Sequence, residues 1–100
     1  MKIKNYKKVI LVLQVKTNTK KEFMKFLDEN IPNVIAFEGC KKLEVFFNEE
    51  INEMIISETW TNKDAHQKYI DFISNNGVME ELISFLDEKP SIKYFDILEI

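Results

Sequence analysis

A chain of 100 residues is one domain by length, 1–100, and it buries roughly 65% of its unfolded surface around a single core. Its 45% apolar and 31% charged residues are ordinary for a globular protein, and with Gly 2 and Pro 2 it has little material for long irregular loops. A net charge of −3 and a scatter of 14 basic residues argue against a nucleic-acid partner, while the lone Cys40 excludes an internal disulfide and fits a reducing, cytoplasmic setting.

The one basic cluster, Lys2, Lys4, Lys7 and Lys8, reads as a solvated arm ahead of the first strand. Val9 to Leu13 has the outline of a signal-peptide core, but Gln14 and Lys16 break it and no small-residue cleavage site follows. No stretch is long enough to span a bilayer, so no membrane partner is expected. Lys8 to Lys16 is apolar and β-branched and predicts a strand. Thr19 and Glu22 have capping-box spacing, which predicts a helix from Lys20 with Phe23, Phe26, Leu27, Ile31 and Val34 on its apolar face. Pro32 predicts a kink or a short break, with helical turns resuming to Phe37.

After Gly39, Cys40 to Asn48 reads as a second strand, with Leu43, Val45 and Phe47 on one face and Lys42, Glu44 and Phe46 on the other. Glu53 to Trp60 is a third strand, joined to the second by a hairpin. Thr61 and Asp64 repeat the capping spacing and open a second helix, whose inner stripe reads as Ala65, Tyr69, Phe72 and Ile73. Asn75-Asn76-Gly77 stops it, Val78 to Leu86 forms a short third helix, and Ser91 to Ile100 is the last strand.

This order is an α+β, ferredoxin-like βαββαβ plan, an antiparallel four-stranded sheet with helices on one face. Its uncovered face carries Ile10 and Val12 in the first strand and Phe95 and Ile97 in the last. Four strands at ~4.8 Å spacing and ~20 Å length expose roughly 400 Å² there. A monomer rarely leaves so large an apolar face wet, so a homodimer covering it is expected. An RNA-recognition domain shares the element order, but Glu53 to Trp60 lacks the basic and aromatic pattern that stacks bases.

At Phe37-Glu38-Gly39-Cys40 the chain resembles the Glu-Pro-Gly-Cys segment that opens strand two in antibiotic biosynthesis monooxygenase domains, with Gly39-Cys40 kept and Leu43 where that family often has Tyr. Glu58-Thr59-Trp60-Thr61-Asn62-Lys63-Asp64-Ala65 is similar to the family's strand-to-helix signature of Glu, any residue, Trp, a polar turn, an acidic residue and Ala. The resemblance spans nearly the whole chain in element order. It implies a dimeric α/β barrel with a pocket between sheet and helices. Some members oxidise polycyclic aromatics or quinols without metal or flavin; others degrade haem, isomerise small sugars or diones, or have no demonstrated activity.

His66 is the only histidine and so the only imidazole base. Family members often carry a histidine nine residues after the strand Trp; here that position is Tyr69, and His66 precedes it by about one helical turn. Either both are catalytic and face the pocket, or His66 edges the helix and touches solvent, the slightly preferred reading. Trp60, Phe23, Phe72 and Met79 are candidate substrate contacts, each with core packing as the plainer alternative. Glu58 is unusual in a sheet interior, and is either exposed or paired with a neighbouring base. Cys40 has Lys41 and Lys42 beside it, charges that lower a thiol pKa, but no second group makes it a nucleophile, and it reads as a small core residue.

One His and one Cys give no paired ligand spacing, so no metal is expected. The haem-degrading branch uses an Asn, a Trp and a His; the Trp position falls on Tyr69 and the His position near Met79, so neither haem nor another cofactor is expected. Three functions stand as expectations: a cofactor-independent monooxygenase of small aromatic or quinol-type compounds, an isomerase on the same scaffold, or a non-catalytic ligand-binding dimer.

Overall fold

In the computed structural model, which describes residues 1–100, the elements are β1 (Lys2–Gln14), α1 (Lys20–Ala36), β2 (Cys40–Asn48), β3 (Glu53–Trp60), α2 (Lys63–Asn75), α3 (Val78–Ser84) and β4 (Ser91–Glu99). The strands form one antiparallel sheet in the order β2-β3-β1-β4. This is the ferredoxin-like α+β arrangement. No helix is long and apolar enough to cross a membrane.

Strand alternation sets the layers. Val9, Leu11 and Leu13 of β1 and Met54, Ile56 and Trp60 of β3 turn to the helices and are buried. They meet Phe23, Phe26, Leu27 and Val34 of α1, Tyr69 and Ile73 of α2, and Leu82 of α3. One row of this inner face, Leu43–Glu58–Val9–Tyr94, runs across all four strands and places a carboxylate and a phenol two strands apart.

Several expected details differ. The basic cluster is not an arm: β1 begins at Lys2, because β4 runs alongside and offers Glu99 and Leu98 as ladder partners to Lys2 and Ile3. Lys7 pairs with Asp96, and Lys8 donates to Thr59 Oγ1 at 2.8 Å and Ser57 Oγ at 3.3 Å. Thr19 does not cap α1; its hydroxyl donates instead to the Lys16 carbonyl at 2.8 Å. Asn62 rather than Thr61 caps α2, its Oδ1 accepting the Ala65 N–H at 2.8 Å. Pro32 causes no break. It lies on the exposed side of α1, as does Asp28, whose carbonyl a proline ring leaves without a helical N–H. Helix α3 stops at Ser84, leaving Phe85 to pack on Phe23 and Phe26 and Leu86 to bridge Val15.

The uncovered face is mixed rather than apolar throughout. Ile10, Val12, Phe46, Ile55 and Phe95 share it with Lys8, Lys42, Glu44, Ser57, Thr59 and Lys93. The polar residues fall mostly on two rows nearest the start of β2, which the alternation in β1 and β4 alone did not reveal.

Gly39 joins α1 to β2 at φ +98°, and a Cβ there would lie 2.7 Å from Ala65 Cβ. Gly77, between α2 and α3, has φ +90° and open space around it. Gly77→Ala is expected to cost ~1–2 kcal/mol from backbone strain alone. Gly39→Ala adds a collision with α2, so its loss in urea denaturation is expected to exceed that of Gly77→Ala by at least ~1 kcal/mol. Equal losses would show that the β2–α2 approach is not tight.

Candidate active site

Glu58 occupies a position that alternation assigns to the core, following Met54 and Ile56 on the inner face of β3. Its side chain is only 4% exposed. Trp60, on the same face two residues on, donates its indole N–H to Glu58 Oε1 at 2.7 Å. No cation neutralises the carboxylate. Burial therefore pushes its pKa up to about 7, against the pull of the indole hydrogen bond.

His66 is fully buried, so the solvent-touching reading is overturned. The buried stripe of α2 is His66, Tyr69 and Ile73 rather than Ala65, Tyr69, Phe72 and Ile73. Cap formation by Asn62 accompanies this rotation, and Phe72 falls on the outer side, 54% exposed. The imidazole sits between the two polar members of the inner row, Glu58 and Tyr94. Its Nε2 is 3.7 Å from Glu58 Oε1, and its Nδ1 is 2.7 Å from Tyr94 Oη. Gln67 donates to the same Tyr94 oxygen at 2.5 Å. Nε2 is buried with no hydrogen-bond partner.

Burial lowers the His66 pKa to about 4. The 3.7 Å contact is therefore not an ion pair: between about pH 4 and 7 both groups are neutral, and above 7 a carboxylate faces a neutral ring. Tyr69 packs edge-on against Phe37 with ring centroids 5.2 Å apart and lies beside Trp60 and His66. Burial and the Glu58 charge push its phenol pKa up, so it remains a hydroxyl. Cys40 is also pushed up, by burial and Glu58, contrary to the lowering expected from Lys41 and Lys42, whose side chains are exposed. No three His, Cys, Asp or Glu side chains converge as a ligand cluster.

Glu58, His66 and Tyr69 line one apolar cavity of about 60 Å³, walled otherwise by aliphatic groups of the sheet, α1, α2 and α3. Typical ligand pockets hold ~300–1,000 Å³, so the cavity is closed to anything beyond a few waters. Beside it lies an outer groove of about 420 Å³ between α1 and α2, edged by Phe37 and Phe72. Asn30, Tyr69, Ile73 and Val78 belong to both and form the partition.

Of the side chains singled out from sequence, His66, Tyr69 and Met79 meet at the cavity. The other three lie elsewhere. Phe23 is stacked behind Phe26, Trp60 is enclosed and holds Glu58, and Phe72 edges the outer groove. Sequence reasoning left Glu58 undecided and missed Tyr94. The signal for Glu58 was its place in an otherwise apolar alternation; for Tyr94 only strand register reveals it.

A ferredoxin-like sheet with a carboxylate and an imidazole enclosed beneath its helices, at the wall of a small apolar cavity, defines this α+β domain. The family profile named Antibiotic biosynthesis monooxygenase matches residues 8–71, and the chain belongs to that family. Solved structures agree on the fold. A conserved protein from Methanosarcina mazei is 22% identical, with 90% of each chain covered and a TM-score of 0.79. Rv0793 from Mycobacterium tuberculosis is 14% identical, with 95% of this chain and 97% of that one covered and a TM-score of 0.80. A crystal structure named as an antibiotic biosynthesis monooxygenase gives 12% identity, 93% and 99% coverage and a TM-score of 0.81. No curated protein matches the sequence significantly.

The raised pKa of Glu58 is a stability statement. Its carboxyl is protonated in both folded and unfolded chains below about 4.5, and the folded state is penalised increasingly as pH rises to about 7. The full penalty above that is about 3 kcal/mol, from a rise of 4.5 to about 7. Glu58→Gln keeps an acceptor for Trp60 and removes the charge. It is expected to raise Tm by ~5 °C or more at pH 8 and to change it little at pH 5. Equal effects at both pH values would mean that the carboxylate is not desolvated.

Proposed function

We propose that the chain is a cofactor-independent monooxygenase of small phenolic or quinol-type aromatics, with Glu58 as the proton acceptor. The observation that carries this reading is an unneutralised carboxylate, poised near pH 7, beside a free imidazole nitrogen in an apolar cavity. A base matched to the working pH is the most effective one. His66, expected from sequence as the base, is too weak at about 4; its part is to hold the substrate oxygen at Nε2. Tyr69 stands as the ring-positioning hydroxyl and Met79 as an apolar wall.

The chemistry balances without a further reactant beyond oxygen. A substrate hydroxyl gives its proton to Glu58 as the O–H bond breaks, and the electron-rich anion adds to O₂ at a ring carbon. The resulting peroxide takes the Glu58 proton back and loses water with the ring hydrogen, leaving a quinone. The protein supplies desolvation, orientation and one cycling proton. A ring does not fit 60 Å³, so it enters from the outer groove by displacing the Tyr69–Val78 partition. The same carboxylate serves an enolising isomerase equally well, and oxygen separates the two.

Oxygen uptake with reduced menadione in metal-free buffer is expected to rise with pH through about 7 as Glu58 ionises. Glu58→Gln is expected to lose ~10²-fold or more. Wild-type uptake no faster than the variant's removes the reading, and turnover that persists anaerobically turns it to the isomerase.

We further propose a homodimer through the open face. Ile10, Val12, Phe46, Ile55 and Phe95 form its apolar part, and Lys8 has two hydroxyl partners that soften the cost of covering it. A stable interface takes ~800 Å² per partner, about twice the roughly 400 Å² of the face. The exposed Ile3, Tyr6 and Leu98 on the β1–β4 extension supply the remainder. Light scattering at micromolar concentration is expected to give twice the 11.9 kDa chain mass, and Val12→Glu a single chain. A wild-type monomer removes this assignment.

A further inference from the structure

We propose that Tyr94, braced by Gln67, is a positioning residue that donates to His66 Nδ1 and thereby keeps the imidazole proton on Nε2, aimed into the cavity beside Glu58. The use of that proton in catalysis rests on the reading above; the tautomer does not.

The contact between Tyr94 Oη and Nδ1 at 2.7 Å admits two assignments. A phenol oxygen has one proton and two lone pairs, and the Gln67 amide occupies one lone pair at 2.5 Å. If Nδ1 carried the imidazole proton once Glu58 is ionised, Nε2 would present a bare lone pair to Glu58 Oε1 at 3.7 Å, with no donor within reach. The indole N–H of Trp60 is already given to that same oxygen. If Tyr94 donates, Nε2–H faces the carboxylate, an attraction in a low-dielectric site, and no electron pair is set against another.

The surroundings favour the second assignment whenever Glu58 is ionised. Lys63 of α2 sits over the Tyr94 ring with its Nζ 4.9 Å from the centroid. Lys7 and Asp96, the next inward-facing pair along β1 and β4, neutralise one another. Lys63 has no carboxylate partner but lies over Tyr94, so Glu58 is the unneutralised charge next to Nε2, and it selects the tautomer with a proton there. Tyr94 selects it from the other side and also fixes the ring plane.

A donor and a carboxylate 3.7 Å apart define the anchoring atom of the ligand. An oxygen seated ~2.8 Å from each must accept from Nε2 and donate to Glu58. That atom is a hydroxyl. A carbonyl alone leaves the carboxylate without a donor, and an anionic oxygen is repelled by it.

His66 is the sole histidine, so the imidazole signals of uniformly ¹⁵N-labelled protein are unambiguous. At pH 8, long-range ¹H–¹⁵N spectra are expected to show Nε2 protonated and Nδ1 at a hydrogen-bonded acceptor shift. Tyr94→Phe is expected to move Nδ1 to the shift of an unbonded acceptor and to lower kcat for reduced menadione roughly tenfold or more, with little change in KM. Gln67→Ala, at an exposed position, is expected to give a smaller change in the same direction, and it keeps the test readable if Tyr94→Phe fails to fold. A proton on Nδ1 in the wild type, or an Nδ1 signal indifferent to both substitutions, overturns the proposal. A wild type with the expected tautomer and no oxygen uptake sinks the monooxygenase reading and leaves this one standing.

Discussion

A single carboxylate placed where alternation calls for a hydrocarbon governs the interior of this domain. Glu58 shares its face of β3 with Met54 and Ile56 and its row with Leu43 and Val9. An ionised group there loses most of its hydration, and one indole N–H returns only part of it. Trp60 is the one neighbour that offsets this cost with a hydrogen bond. Trp60 is enclosed because its indole must reach back along its own strand. His66 lies inside as well, its Nε2 3.7 Å from Glu58 and without a hydrogen-bond partner. Adjacent strands lie ~4.8 Å apart, so Glu58 and Tyr94 are separated by roughly two spacings, a gap that one imidazole bridges.

The scaffold holds these groups by backbone means. Gly39 brings the start of β2 against α2 closely enough that no side chain fits between them. The Thr61 N–H donates to the Gly39 carbonyl at 2.8 Å, tying the end of β3 to the start of β2. Asn62 then starts α2 one residue later than a threonine cap would. On the helix so started His66 is fully buried, while Ala65 packs half-buried against Gly39 at the start of β2.

Much of this was legible in the chain. Seven elements, their order and the α+β class follow from periodicities of two and of three to four, because the buried stripes are long and regular. The Glu58-to-Ala65 segment pointed to the family because its residues are consecutive and local. What stayed hidden depends on contacts between distant segments. The reach of β1 to Lys2 needed β4 as a partner. The choice between Thr61 and Asn62 as cap turned on backbone geometry, since either side chain can cap a helix. Glu58 was visible as an anomaly, but whether it was solvated or enclosed depended on helices elsewhere. Tyr94 became a neighbour of His66 only through the register of β4 on β1, which no local pattern encodes. Trp60 and Phe23 were weighed as ligand contacts from their size, yet size equally suits a strut, and the position of the cavity decided between them.

The small cavity and the poised carboxylate are two aspects of one property. Burial in an apolar, nearly filled space pushes the Glu58 pKa up to about 7. Opening the partition at Tyr69 and Val78 toward the outer groove admits water and would return the carboxyl toward its ordinary value, weakening it as a base. A ligand restores the condition only if its body is apolar enough to exclude that water again and it offers one hydroxyl to the Glu58–His66 pair. A flat aromatic alcohol meets both demands. A sugar carries more hydroxyls than these walls can satisfy, since outside Glu58, His66 and Tyr69 the lining has only Asn30, whose amide already donates to the Phe26 carbonyl. Selectivity on this view needs no dedicated recognition loop. On the proposed reading, the desolvation that raises the Glu58 pKa also disfavours ligands that would rehydrate it.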